Sequence, residues 1–179
     1  MANRYNKNQI KELGGRSVFI DTNVLIYLFW SSSSSWETKY STIFGELSKF
    51  KNKLVTDFTV ISEFINRATR MEYNKYLLQN HLSVSEFKYK ESYRSSQSGK
   101  DAIEDIYNIV QQKLLPRIEL IGKVFTRDEL HQFLVIDSLD FNDKAILMLC
   151  RDNDLVLLTN DKDFENADVD ILSANTKLL

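Results

Sequence analysis

The chain is expected to fold as an α/β protein in which helices cover a parallel sheet. Three observations predict this. Short apolar runs of strand type alternate with amphipathic helical stretches. Acidic residues stand directly after the clearest of those runs, at Asp21 and in Thr159-Asn160-Asp161. The 179 residues are 43% hydrophobic and include 11 Phe, 8 Tyr and 2 Trp, enough for a real core in one domain. At this size a compact chain buries about 70% of the surface that its unfolded form exposes.

Taken in order, residues 1–15 are hydrophilic and end in Gly14-Gly15, which predicts a short leader and turn rather than core. Ser17-Val-Phe-Ile20 is a strand that runs at once into Asp21-Thr22-Asn23 and the apolar helix Val24 to Trp30. The serine run Ser31 to Ser35 predicts a flexible loop without chemistry of its own. Tyr40, Ile43, Phe44, Leu47 and Phe50 recur at helical spacing between Glu37 and Phe50. Lys53 to Thr56 forms a second strand, after which Asp57 or Thr59 can cap a helix with Val60, Ile61, Phe64, Ile65 and Ala68 on one side.

The tyrosine-rich segment from about 72 to 116 is expected to be an extra helical insertion. Ser95 to Gly99 mark a loop within it, and Ile103, Ile106, Tyr107, Val110 and Leu114 repeat helically until Pro116, the only proline. Arg117 to Ile121 predicts a third strand, and Thr126 with Glu129 a capping box for a short helix through Phe133 and Leu134. Asp140-Phe-Asn-Asp143 opens a helix carrying Ile146, Leu147, Leu149 and Cys150. Leu155 to Leu158 is a strand of the fully buried type, and Val169 to Leu172 a last edge strand.

Composition excludes several function classes. A net charge of −2 and a pI near 5.8 provide no bulk field for nucleic acid, so any bound polyanion must be held locally. A single cysteine rules out an internal disulfide and suits a reducing compartment. No window approaches the roughly 18 apolar residues of a membrane helix, so a soluble, cytoplasmic protein without membrane contact is expected. Five glycines supply neither a dinucleotide fingerprint nor a phosphate-binding loop. His81 and His131 are not in ligand spacing.

What stands out is a set of carboxylates. Asp21 and Asp161 follow strands, Glu63 lies one turn into the helix after its strand, and Asp143 lies in the first turn of another helix. In an open parallel sheet ligands bind beyond the carboxyl ends of the strands, so the four acids can meet on one rim. Each like-charge pair at about 4 Å costs on the order of 1 kcal/mol even in bulk water, and more in a drier setting. A cation or protonation must relieve it. Hard oxygen donors without His or Cys favour Mg2+ or Mn2+ over zinc. Each acid also has a plainer reading: Asp21 and Asp140 as helix caps, Asp161-Lys-Asp163 as a turn, Glu63 as surface. Tyr73, Tyr76, Tyr89 and Tyr93 offer base stacking or, more commonly, packing on neighbours.

Asp21-Thr-Asn-Val-Leu-Ile, Ile61-Ser-Glu63-Phe, Phe141-Asn-Asp143-Lys-Ala-Ile and Leu158-Thr-Asn-Asp161-Lys-Asp163-Phe resemble, in order, the acidic motifs of the PIN-domain family, over about residues 20 to 164. The resemblance implies a Rossmann-like three-layer α/β/α PIN domain with a central parallel sheet. It also implies an Mg2+- or Mn2+-dependent endoribonuclease acting on single-stranded RNA, as in the VapC-like toxins of type II toxin–antitoxin pairs. It places Asp21, Glu63, Asp143 and Asp161 as the catalytic, metal-binding quartet. Asp140 and Asp163 become auxiliary acids, and Thr22, Asn23 and Thr159 orient the carboxylates. Arg67, Arg70, Lys144 and Lys162 are candidates for touching phosphates, or else solvated surface charge. An antitoxin protein and a second copy of the chain are the partners implied. Two other readings remain open: a PIN-like module that binds RNA or protein without hydrolysis, and a structure-specific DNA nuclease.

Overall fold

The structure, a computed structural model, describes residues 2–30 and 34–179; the first three residues of the serine run, 31–33, and with them most of its predicted loop, lie outside the described residues. Six strands form one all-parallel sheet: β1 (Arg4–Tyr5), β2 (Val18–Ile20), β3 (Leu54–Thr56), β4 (Glu119–Leu120), β5 (Val156–Leu158) and β6 (Ile171–Leu172). Their spatial order is β1-β6-β5-β2-β3-β4. The three central strands are buried at every residue, which is why they read as unbroken apolar runs rather than alternating ones.

The helices are α1 (Thr22–Phe29), α2 (Trp36–Lys49), α3 (Phe58–Gln79), α4 (Gln97–Ile109), α5 (Arg127–Phe133) and α6 (Phe141–Asp152). Helices α1 to α4 pack on one another, and α5 packs on α6. Chain order explains the division. From β2 the sheet grows through β3 to β4, then returns to β5 on the other side of β2. Right-handed crossovers in opposite directions therefore put α5 and α6 on the face opposite α1 to α4. This is the α/β/α arrangement expected from the motifs.

Two expectations need correction. The first 15 residues are not a leader. Arg4–Tyr5 pairs with β6, and Ile10 and Leu13, on a 3-10 helix over Lys7–Leu13, are each 1% exposed in the core. The Arg4 guanidinium donates to the carbonyls of Val169, Glu165 and Ala167, tying this strand to the far end of the chain. In consequence the predicted edge strand, β6, is interior, flanked by β1 and β5. The edges are β1 and β4.

The segment from 72 to 116 begins inside α3, which runs on to Gln79, and continues through turns and coil over 80–88. A π-helical turn (Tyr89–Tyr93) precedes α4, which packs back along α3, and a second π-helical turn (Val110–Leu114) follows. Gly99 allows that return: a Cβ there would stand 2.0 Å from the Tyr93 carbonyl oxygen. No helix among the described residues is long and apolar enough to cross a membrane.

Replacing Ile10 by alanine tests the revised N-terminus. Loss of a fully buried side chain should cost about 2–5 kcal/mol in chemical denaturation. A leader outside the core would lose nothing measurable.

Candidate functional site

The sheet's strand order reverses between β2 and β5, whose ends lie side by side, with Ile20 in register with Leu158. A crevice at such a reversal is where open α/β sheets bind ligands. Asp21 emerges there, and its backbone N–H donates to the Leu158 carbonyl (3.1 Å). The Asp21 side chain is 6% exposed. Its Oδ1 accepts from the Thr22 N–H (2.6 Å), which also caps α1; its Oδ2 accepts from the Thr159 hydroxyl (2.6 Å) and Asn23 Nδ2 (2.7 Å). All three donors are neutral, and among the described residues no lysine or arginine pairs with Asp21.

The other acids surround this carboxylate from three elements. Glu63, half-buried on α3, accepts from the Thr22 hydroxyl (2.9 Å). Asp161 follows Thr159, whose hydroxyl also accepts from the Asp161 N–H (3.0 Å). Asp143 stands in the first turn of α6. Their charges reach one another. Burial pushes the Asp21 carboxyl up to about 6, reinforced by the charges of Asp161 and Glu63 and opposed by the bonds from Thr159 and Thr22. Burial also pushes Asp143 up to about 7, together with the charges of Asp140, Asp21 and Asp161. Among the described residues, however, no group of three or more His, Cys, Asp and Glu side chains is drawn into a ready-made metal cage. The donor chemistry nonetheless suits a hard cation: carboxylate oxygens only, with Asp21 buried beside the charges of Asp161 and Glu63 and, among the described residues, paired with no basic side chain.

A family model described as the PIN domain matches residues 18–170. The chain belongs to the PIN-domain family. No curated protein matched it in a similar search. PIN domains are typically metal-dependent nucleases and act on nucleic acid.

In this PIN domain the plainer readings of the acids hold as well. Asp21 and Asp140 cap α1 and α6, and Asp161 caps the 3-10 turn Lys162–Phe164. Asp140 accepts from the Asp143 N–H (2.8 Å) and Asp143 from the Asp140 N–H (3.4 Å), a reciprocal capping box. Asp163 is exposed, and its N–H donates to Asp161 Oδ1 (3.1 Å). Asn23 ties the two strand ends together, since its Oδ1 accepts from the Asn160 N–H (3.1 Å) while its Nδ2 reaches Asp21.

The candidate phosphate contacts divide. Lys144 is withdrawn: its ammonium is buried and donates to the carbonyls of Phe133 (3.2 Å) and Val135, and it pairs with Asp137 (3.0 Å). With three donors committed, it fastens the α5–α6 loop to α6 and has none left for a phosphate. Lys162 is exposed. Arg67 is exposed and leans on Glu63 (3.4 Å), and Arg70 lies over the Tyr89 ring (3.7 Å). Tyr73, Tyr76, Tyr89 and Tyr93 pack on one another and on Phe87, the structural alternative to base stacking.

Sequence reasoning missed the support behind Thr159. The buried Tyr40 hydroxyl lies 2.9 Å from the Thr159 carbonyl and 3.0 Å from Asn160 Oδ1, Ser173 donates to the same carbonyl (2.8 Å), and Asn175 donates to the Asn160 carbonyl (3.1 Å). Tyr40 had been visible only as a core position of α2. Asp57, foreseen only as a cap, is a further carboxylate near the strand ends. Burial raises its own pKa; burial, then the charges of Asp21 and Asp57, push the Cys150 thiol up.

The raised Asp143 pKa predicts an inverted pH dependence in metal-free protein. At about pH 3 and below the carboxyl is protonated whether folded or not, and carries almost no penalty. As pH rises through 4 toward 7 the unfolded chain ionises it while the fold still holds the proton, so stability falls; the penalty is complete above 7. Asp143→Asn, in chelator, should therefore melt higher than the parent by at least about 2 °C at pH 8 and by almost nothing at about pH 3. An equal difference at both pH values would contradict the crowding of charge.

Proposed function

We propose that this PIN domain is an Mg2+- or Mn2+-dependent endoribonuclease that hydrolyses phosphodiester bonds in single-stranded RNA. In this reading Asp21, Glu63, Asp143 and Asp161 hold the metal and carry catalysis. The observation that supports it best is Asp21 itself: a buried carboxylate at the switch point, close to other acids and, among the described residues, paired with no lysine or arginine. When bound, one divalent ion or two would lower the pKa of a water molecule and offset the charge developing on the leaving oxygen.

The chain's own residues prepare the site for that chemistry. Thr159, Asn23 and the Thr22 N–H together fix the Asp21 carboxylate in one orientation before any substrate arrives. Thr22 does the same for Glu63 with its hydroxyl, so a single residue serves two acids through two different groups. Thr159 links Asp21 to the Asp161 backbone, and the Tyr40, Ser173 and Asn175 bonds keep the 159–161 turn from relaxing away from the rim. With a divalent cation held by these acids, the crevice would accept a phosphodiester, and a protein of net charge −2 could then act on a polyanion.

Purified protein should cleave single-stranded RNA when Mn2+ is supplied, and Asp21→Asn or Asp143→Asn should reduce the rate by more than about 100-fold. Thr159→Val, which keeps the shape and removes the hydroxyl, should cost about 10- to 100-fold, the usual effect of losing a group that orients a metal ligand. Cleavage unchanged in both aspartate variants would refute the assignment. RNA binding without cleavage or metal uptake would favour a binding module, and preferential cutting of single-stranded DNA a DNA nuclease. A role as the toxin of a type II pair adds that expression of the chain alone arrests growth and that a small antitoxin protein relieves it.

A further inference from the structure

Glu63, Arg67 and Arg70 stand at i, i+4 and i+7 on α3, a spacing that places all three on one face. Contacts join them to both ends of a longer path. At one end Glu63 is bonded to Thr22 beside Asp21, and Arg67 to Glu63. At the other, roughly 10 Å along the helix axis from Glu63, the Arg70 guanidinium lies 3.7 Å from the centre of the Tyr89 ring, with that of Arg94 6.0 Å from the same ring. Lys88 and Lys90 flank Tyr89 in sequence. Arg70, Arg94, Lys88 and Lys90 are all exposed and, among the described residues, have no carboxylate partner.

Resting on the nuclease reading above, we propose that this strip, begun by α3 and completed by the π-helical turn of the 72–116 segment, holds the sugar–phosphate backbone of single-stranded RNA beside the cut. A guanidinium laid flat on an aromatic ring keeps its N–H groups pointing outward in the plane, where they can donate to phosphate oxygens, and the ring spares it the entropy of searching for that pose. The strip supplies what the composition lacks. In a chain with no bulk positive field, a local row of cations reaching to the acidic crevice gives the substrate a direction of approach. It also assigns the tyrosine cluster a task other than stacking bases: Tyr73 and Tyr93 hold Tyr89 in place, Tyr76 backs Tyr93, and Tyr89 seats Arg70 with Arg94 near its ring.

The probe is a fluorescein-labelled 12-nucleotide single-stranded RNA, with anisotropy read across a salt series in chelator so that no cleavage occurs. Each lost phosphate contact should lower the slope of log affinity against log salt by about 0.7. The loss is therefore about 0.7 for Arg94→Ala and about 1.4 for Arg70→Ala with Arg94→Ala, while Arg94→Lys keeps the parent slope. With Mn2+ the double variant should raise KM and leave kcat within about twofold. Arg94 is exposed on a surface turn, so its single variant still reports if the double variant folds poorly. Unchanged slopes and KM would overturn the strip while leaving the nuclease reading intact. An arginine-dependent slope in a parent protein that cleaves nothing would support the strip and sink the nuclease reading instead.

Discussion

The structure turns on the burial of one ionisable group. Asp21 sits where the first central strand ends and the sheet reverses, in a place dry enough to push its pKa up to about 6 although three hydrogen bonds stabilise the ionised form. A neutral side chain would cap α1 at lower cost, because N-capping needs one oxygen acceptor and not a buried charge. The carboxylate makes sense as a ligand for a cation, and the like charges of Asp161 and Glu63 nearby strengthen that requirement. A divalent cation relieves burial and repulsion together.

The same residues serve folding and site geometry. Asp21, Asp140 and Asp161 each satisfy a helix or turn N-terminus. Because parallel crossovers start helices at the carboxyl edge of the sheet, capping alone gathers acids on that edge. What distinguishes this rim from a set of ordinary caps is the overlap of their fields, seen in Asp143, which is pushed to about 7 by burial and by the charges of Asp140, Asp21 and Asp161. The polar groups behind Thr159 then hold the caps in one arrangement. They come from α2 and from the stretch after β6, elements far from the motifs in sequence.

Much of this was legible in the amino-acid order. Central strands buried on both faces announce themselves as apolar runs, and an acid directly after such a run is placed by topology whatever the rest of the chain does. The capping box at Thr126 and the helix cap at Asp140 are local and appeared where the spacing put them. The misreadings arise where no local α or β pattern announces the contact. A two-residue strand such as Arg4–Tyr5 carries no periodicity, and it exists because β6 offers an open side and Arg4 can reach the carbonyls of residues 165 to 169. Ile10 and Leu13 lie on a 3-10 helix, whose three-residue turn does not produce the pattern of an amphipathic α-helix. Lys144 adjoins a motif aspartate, yet the loop that claims its ammonium lies ahead of α6, and nothing in the motif encodes that. Arg70 and Arg94 are ordinary surface charges until folding brings both near the Tyr89 ring.

A crystal soaked in millimolar Mn2+ and measured at an anomalous wavelength tests the central claim most directly. A peak is expected among the oxygens of Asp21, Glu63, Asp143 and Asp161, about 2.1 Å from the nearest of them, with the Thr159 and Asn23 bonds to Asp21 retained. An empty crevice at that concentration, or manganese bound only elsewhere on the surface, would contradict it.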